Sequence, residues 1–142
     1  MVNNNAVKVE ALIQQDINTV WDFWTNSKHI IRWNQASDDW HTTRVEIDFR
    51  PGGNFLYRME AKDGSFGFDF SGTYNNIITN RIISYVLGDG RKVTNIFEII
   101  GGNTKVTQLF EPEKENSAEV QRAGWQSVLN NFKKYVEDYQ SI

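Results

Sequence analysis

Asp38-Asp39-Trp40-His41 places two carboxylates and an imidazole within four residues, the most chemically suggestive cluster in the chain. A carboxylate beside an imidazole can form an acid–base pair or ligate a metal. The supply of further ligands is poor. A catalytic zinc site draws three protein ligands from His, Cys and carboxylates, and the chain has no cysteine and only one other histidine, His29. If the segment is extended, neighbouring side chains point to opposite faces, so Asp38 and Asp39 cannot both face inward. The competing reading is a loop in which aspartates serve turns and caps while Trp40 anchors in the core. His41, Asp38 and Asp39 are therefore candidates only. No catalytic residue is assigned, and no metal or cofactor is expected.

A second polar set is quieter. Alternation places Asn95 with Val93, Phe97 and Ile99, and Gln108 with Val106 and Phe110. Two amides on an apolar face need partners, because an unpaired buried amide costs about 1–3 kcal/mol. They can bond each other or a water, or they can meet a ligand. Tyr57 and Tyr74 are hydroxyl donors on the same inner side, or core tyrosines whose hydroxyls reach the rim. Nothing resembles a nucleophile elbow or a dinucleotide fingerprint. Gly52-Gly53 and Gly101-Gly102 are turn glycines, since no helix start follows either pair.

The bulk composition sets the frame. The chain has 142 residues, 39% hydrophobic and 23% charged, which fits one globular domain with a sizeable core. The net charge of −3 comes with scattered basic residues, so no stripe exists to displace phosphate counterions, and nucleic acid is not an expected partner. No apolar run approaches the ~20 residues of a membrane helix. Met1 to Asn5 lacks a signal-peptide core, so a cytoplasmic location is expected. Aromatic residues reach 13%, including five Trp and nine Phe, which suits either a dense core or a core that encloses a pocket.

These residues must be positioned by recognisable elements. Val7 to Gln14 alternates as a strand. Asp16 is a good N-cap for a short helix carrying Val20, Phe23 and Trp24. Ser27 is placed to cap a second short helix through Ile30, Ile31 and Trp33. From Thr42 the period is two again, with Val45, Ile47 and Phe49 on one face. Pro51-Gly52-Gly53 turns into Phe55, Tyr57 and Met59; Asp63-Gly64 turns into Phe66, Phe68, Phe70, Gly72 and Tyr74. Asn75 to Asn80 reads as a turn. Strands follow over 81–87, 91–100 and 104–111, separated by Asp89-Gly90 and Gly101-Gly102-Asn103. Successive hairpins make an antiparallel meander. Asn116 with Glu119 resembles a capping box. It opens a helix of roughly 35 Å, whose stripe is Trp125, Val128, Leu129, Phe132, Val136 and Tyr139. Gly124 reads as a point of close backbone approach to a strand. The whole is an α+β chain, one domain over 1–142 with its core at 7–139.

Strand, two short helices, meander and long helix is the order of the helix-grip fold, and the motifs match. The chain resembles the SRPBCC/START-like superfamily, and within it bacterial relatives of the C-terminal domain of the activator of the heat-shock-protein-90 ATPase. The matching segments are Val20-Trp21 with Trp33, Asp38-Asp39-Trp40-His41, Asp48-Phe49-Arg50-Pro51-Gly52-Gly53-Asn54-Phe55, Met59-Glu60-Ala61-Lys62-Asp63-Gly64, Gly72-Thr73-Tyr74, and Gly124-Trp125 with Asn131-Phe132. Gln108 departs from the pattern, where many relatives carry an apolar residue. The resemblance implies a curved sheet gripping the long helix around a cavity on the order of a few hundred Å³. It further implies a small hydrophobic ligand, lipid-, polyketide- or aromatic-like. The residues expected to contact it are Trp33, Trp40, Ile47, Tyr57, Met59, Phe68, Phe70, Tyr74, Asn95, Phe97, Gln108, Trp125 and Leu129. A chaperone is the partner in one alternative reading, and a cyclase or dehydratase activity is another. A monomer or weak homodimer is expected.

Overall fold

Alternating apolar side chains define the strands, and local hydrogen-bonding residues set where the helices begin. In the computed structural model, which describes residues 5–139, the order is β1 (Val7–Ile13), α1 (Ile17–Thr25), α2 (Ser27–Trp33), β2 (Trp40–Ile47), β3 (Asn54–Ala61), β4 (Gly67–Ile78), β5 (Ile82–Leu87), β6 (Lys92–Ile100), β7 (Asn103–Phe110) and α3 (Ala118–Asp138). Residues 1–4, read above for a leader sequence, lie outside the described residues. The seven strands form one curled antiparallel sheet in the order β1-β7-β6-β5-β4-β3-β2. This is the helix-grip arrangement expected from the sequence.

Asp16 caps α1 as expected, accepting from the Thr19 hydroxyl at 2.6 Å and the Thr19 backbone N–H at 3.3 Å. The other two caps differ by one residue. Asn26, not Ser27, caps α2, accepting from the Lys28 N–H at 3.1 Å. Ser117, not Asn116, caps α3, accepting from the Val120 N–H at 3.1 Å. Asn116 is held elsewhere: its N–H donates to the Glu113 carboxylate and its carbonyl accepts from Gln121 Nε2. In α2 the buried face is His29, Ile30 and Trp33, whereas Ile31 is exposed. β4 runs through the expected turn at Asn75–Asn80. A bulge between Tyr74 and Asn76 lets the strand keep pairing with β5, and the chain reverses only near Asn80, where φ is 64°.

The core is uneven along α3. Its C-terminal half is packed solid: Leu129, Phe132 and Val136 are fully buried. The Phe132 ring meets Trp24 at 4.8 Å and Trp33 at 4.7 Å, edge to face. Trp33 Nε1 donates to the Phe23 carbonyl at 2.9 Å, so its indole is buried without a lost hydrogen bond. On the outer flank of β1, three α3 side chains reach successive outward carbonyls. Arg122, Gln126 and Lys133 donate to the backbone oxygens of Lys8, Glu10 and Leu12. Toward its N-terminus α3 stands off from the sheet, and Trp125 and Val128 are only half-buried.

Candidate functional site

That stand-off encloses a cavity of about 310 Å³, at the small end of ligand pockets. Strands β3, β4 and β5 supply Tyr57, Phe70, Tyr74, Ile83 and Tyr85 to its lining. Trp125 and Val128 of α3 close the opposite side, and Trp24, Thr25, Trp33 and Asn34 of the α1–α2 pair close one end. Trp125 is held by a parallel stack on Phe110, centroids 4.0 Å apart, while Phe70 meets its ring edge to face at 6.0 Å. The exposed lining residues Phe68, Asn116 and Gly124 mark the route to solvent. Gly124 makes no close approach to a strand, contrary to its sequence reading: a Cβ there would meet nothing within 4 Å. Its missing side chain leaves the rim open. The close backbone approach is instead at Gly72, where a Cβ would lie 2.6 Å from the Val86 carbonyl oxygen and 2.9 Å from the Phe55 ring.

The residues expected to contact a ligand divide in two. Trp33, Tyr57, Met59, Phe68, Phe70, Tyr74, Gln108 and Trp125 line the cavity. Trp40, Ile47, Asn95, Phe97 and Leu129 do not. Trp40 packs on Phe66 and Phe68 at the sheet surface, with centroids 6.1 and 5.9 Å away. Ile47 packs against the core as a half-buried residue of β2. Phe97 is consumed by edge contacts with Trp21 and Trp24, and Leu129 by the solid half of the core. Asn95, fully buried, sits behind the lining: it donates from Nδ2 to the Ile83 carbonyl at 3.0 Å and accepts from Gln108 Nε2 at 2.9 Å. The two amides thus bond each other.

Asp38, Asp39 and His41 lie outside the cavity lining. Asp38 and Asp39 are exposed, and Asp39 accepts a short hydrogen bond from the Ser37 hydroxyl, which is the turn role. His41 is half-buried in β2 opposite Glu60. Among the described residues, no group of three or more His, Asp or Glu side chains is arranged to hold a metal ion.

Sequence reasoning missed Trp24, Thr25, Asn34, Ile83 and Tyr85 on the inner walls, and Arg91, Glu113, Asn116 and Gln121 at the rim. Tyr85 carried a usable signal, since Ile83, Tyr85 and Leu87 share one strand face. Ile82 and Val86 on the other face are also apolar, so alternation did not choose between them.

The cavity is uncharged inside. Burial pushes the hydroxyls of Tyr57, Tyr74 and Tyr85 well above the usual phenol range. All three therefore stay protonated at neutral pH. Charge is confined to the rim. There Arg91 donates to Asp89 at 2.8 Å, and the Asn116 and Glu115 backbone N–H groups hold the Glu113 carboxyl below its ordinary range. Such a site can exclude water, surround an apolar body and offer neutral hydrogen bonds. It holds no group poised to take a proton near pH 7.

A curled antiparallel sheet closed by a C-terminal helix over an aromatic cavity defines a helix-grip protein of the SRPBCC superfamily, a fold that commonly binds hydrophobic ligands. The family model described as Activator of Hsp90 ATPase homolog 1-like protein matches residues 15–137, and the chain belongs to that family. Two solved relatives are similar over nearly their whole length. The AHSA1-like protein from Aeromonas hydrophila is 41% identical, with a TM-score of 0.87, covering 96% of this chain and 99% of that one. Chr148 from Cytophaga hutchinsonii is 41% identical, with a TM-score of 0.82, covering 97% and 99%. CV1439 from Chromobacterium violaceum, 17% identical with a TM-score of 0.84 over 95% and 99%, shares the fold alone. No curated protein matches significantly. No helix among the described residues is long and apolar enough to cross a membrane.

Proposed function

We propose that the protein is a small-molecule binding module that holds an apolar, aromatic- or acyl-type ligand between the sheet and the N-terminal half of α3. The cavity of about 310 Å³ carries the reading. A void of that size with aromatic walls forfeits packing contacts that the same residues could make with each other, and a ligand restores them. The protonated hydroxyls of Tyr57, Tyr74 and Tyr85 support a role as neutral hydrogen-bonding groups of the wall. The test is a titration of the ¹⁵N-labelled protein with apolar compounds. Shifts are expected at Phe70, Tyr85 and the Trp125 indole, and Val128→Trp, which fills the roof, should abolish them while the spectrum stays dispersed. Shifts mapping to other surfaces would refute the proposal.

A second reading, chaperone binding, is favoured by the family description and by the exposed aromatic patch of Phe66 and Phe68, 62% and 39% exposed, beside Trp40. It requires that the chain change a cognate Hsp90 ATPase rate and that Phe66→Ser reduce the effect. An unchanged ATPase rate removes it.

A further inference from the structure

Gln108 departs from its apolar surroundings, and the structure gives it a direction. It comes from β7, is 6% exposed, and lines the cavity. A backbone carbonyl can only accept, so the Ile83 oxygen fixes Nδ2 of Asn95 toward itself. That turns Asn95 Oδ1 to β7, where it can only accept from Gln108 Nε2. The amide of Gln108 is thereby locked, with its Oε1 at the other corner. No protein donor among the described residues meets that oxygen. Nor is any fully buried side-chain nitrogen or oxygen among them left without a partner. The Gln108 Oε1 is therefore not sealed in protein; it opens onto the cavity.

We propose that Gln108 Oε1 is a specificity-determining acceptor, and that the cavity selects an uncharged ligand whose inner end donates a hydrogen bond to it. The inference rests on the cavity being a ligand site and adds the chemistry of the ligand's inner end. A hydroxyl or a neutral N–H satisfies it. A carboxylate would set its oxygens against the Gln108 lone pairs, because the lining cation, Arg91, stands at the rim and is paired with Asp89. An ammonium at the inner end would be desolvated away from the rim carboxylate Glu113, beside hydroxyls of Tyr57, Tyr74 and Tyr85 that carry no charge. A ligand with no donor displaces the water that would otherwise satisfy Oε1 and puts nothing in its place. At ~30 Å³ per water-sized unit, the cavity volume of about 310 Å³ corresponds to a molecule on the order of ten heavy atoms, the size of a bicyclic aromatic.

β-Naphthol, its methyl ether, naphthalene and β-naphthoate separate the possibilities, titrated into the full chain by calorimetry and by ¹⁵N spectra that include the Gln108 side-chain amide. The expected result is that naphthol binds at least tenfold more tightly (about 1.4 kcal/mol) than the ether, naphthalene or naphthoate, and shifts the Gln108 amide. In Gln108→Met, which keeps the length and removes the acceptor, the advantage of naphthol over the ether should fall to within about threefold, the remaining difference being one of size and polarity. Should Gln108→Met fail to fold, the wild-type ratio and the amide shift still decide. Equal binding of naphthol and its ether to the wild type overturns this inference and leaves the binding proposal standing. Binding by none of the four overturns both.

Discussion

Asn95→Leu is the sharpest probe of how the sheet interior is held. The asparagine is fully buried and makes two hydrogen bonds, to the Ile83 carbonyl at 3.0 Å and from Gln108 Nε2 at 2.9 Å. Leucine has the same branched outline and is the bulkier of the two, so no cavity is created and any overpacking adds to the loss. The loss is two net hydrogen bonds of about 1 kcal/mol each, plus the cost of leaving the Gln108 amide N–H without its partner, giving about 3 kcal/mol in total. At ~2.1 cal/mol/K of unfolding entropy per residue, a chain of 142 residues should lose roughly 10 °C in Tm. Adding Gln108→Leu should then recover part of the loss, because replacing both partners of a buried pair by apolar groups removes the orphaned donor. The double variant is thus expected to be more stable than Asn95→Leu alone. Urea denaturation followed by tryptophan fluorescence, with an unchanged m-value, gives the comparison. A single-variant cost below about 1 kcal/mol, or a double variant less stable than the single one, would refute the account of a locked amide pair.

Two further predictions follow from other parts of the molecule. His29 is stacked on Phe23 at 3.9 Å with Nδ1 hydrogen-bonded to the Tyr135 hydroxyl at 2.8 Å, and burial lowers its pKa below the ordinary 6.5. The unfolded chain therefore binds its proton first, so the contribution of neutral His29 is intact above about pH 6.5 and declines as pH falls toward the lowered folded value. Wild type should lose more stability between pH 7.5 and 5.5 than His29→Phe does; equal losses in urea titrations count against this. The two glycines should respond with opposite signs. Gly124→Ala, on an exposed helix face with open space, should stabilise by about 0.5–1 kcal/mol. Gly72→Ala, pressed against the Val86 carbonyl, should cost about 1–3 kcal/mol. Thermal denaturation that gave both the same sign would undo the contrast.

The fold was legible because its signals are periodic: alternating strands, glycine turns and one long stripe each survive without knowledge of their neighbours. The errors arose where tertiary pairing overrode a local cue. Asn75-Asn76 is a turn signal, yet Asn75 is taken up in a bulge and Asn76 stays paired with Ser84 of β5. Asn116 and Ser117 are both good caps; the helix starts at Ala118, so Ser117 takes the cap, while Glu113 and Gln121 hold the Asn116 backbone in the loop before it. The site was half legible. Alternation identified inner faces but not depth, so Phe97 and Leu129, which are core, could not be told from Phe70 and Trp125, which border space. Nothing in the spacing of α3 reveals that one half rests on the core while the other stands clear.

The three α3 side chains along β1 have a consequence beyond packing. A sheet that does not close into a barrel leaves two open margins, each able to recruit a strand from another chain. On β1, Arg122, Gln126 and Lys133 already occupy the carbonyls of Lys8, Glu10 and Leu12, so an incoming strand finds its acceptors taken. The opposite margin is β2, where the register shifts between Thr42 and Arg44 and the Arg44–Glu46 pair is exposed. A bulge and charges discourage growth there by different means. The helix that roofs the cavity also acts as a stopper against runaway self-association: unfolding of its C-terminal turns frees only the Leu12 carbonyl held by Lys133, whereas the Lys8 and Glu10 carbonyls open only when the Arg122–Gln126 segment that carries Trp125 is lost with them.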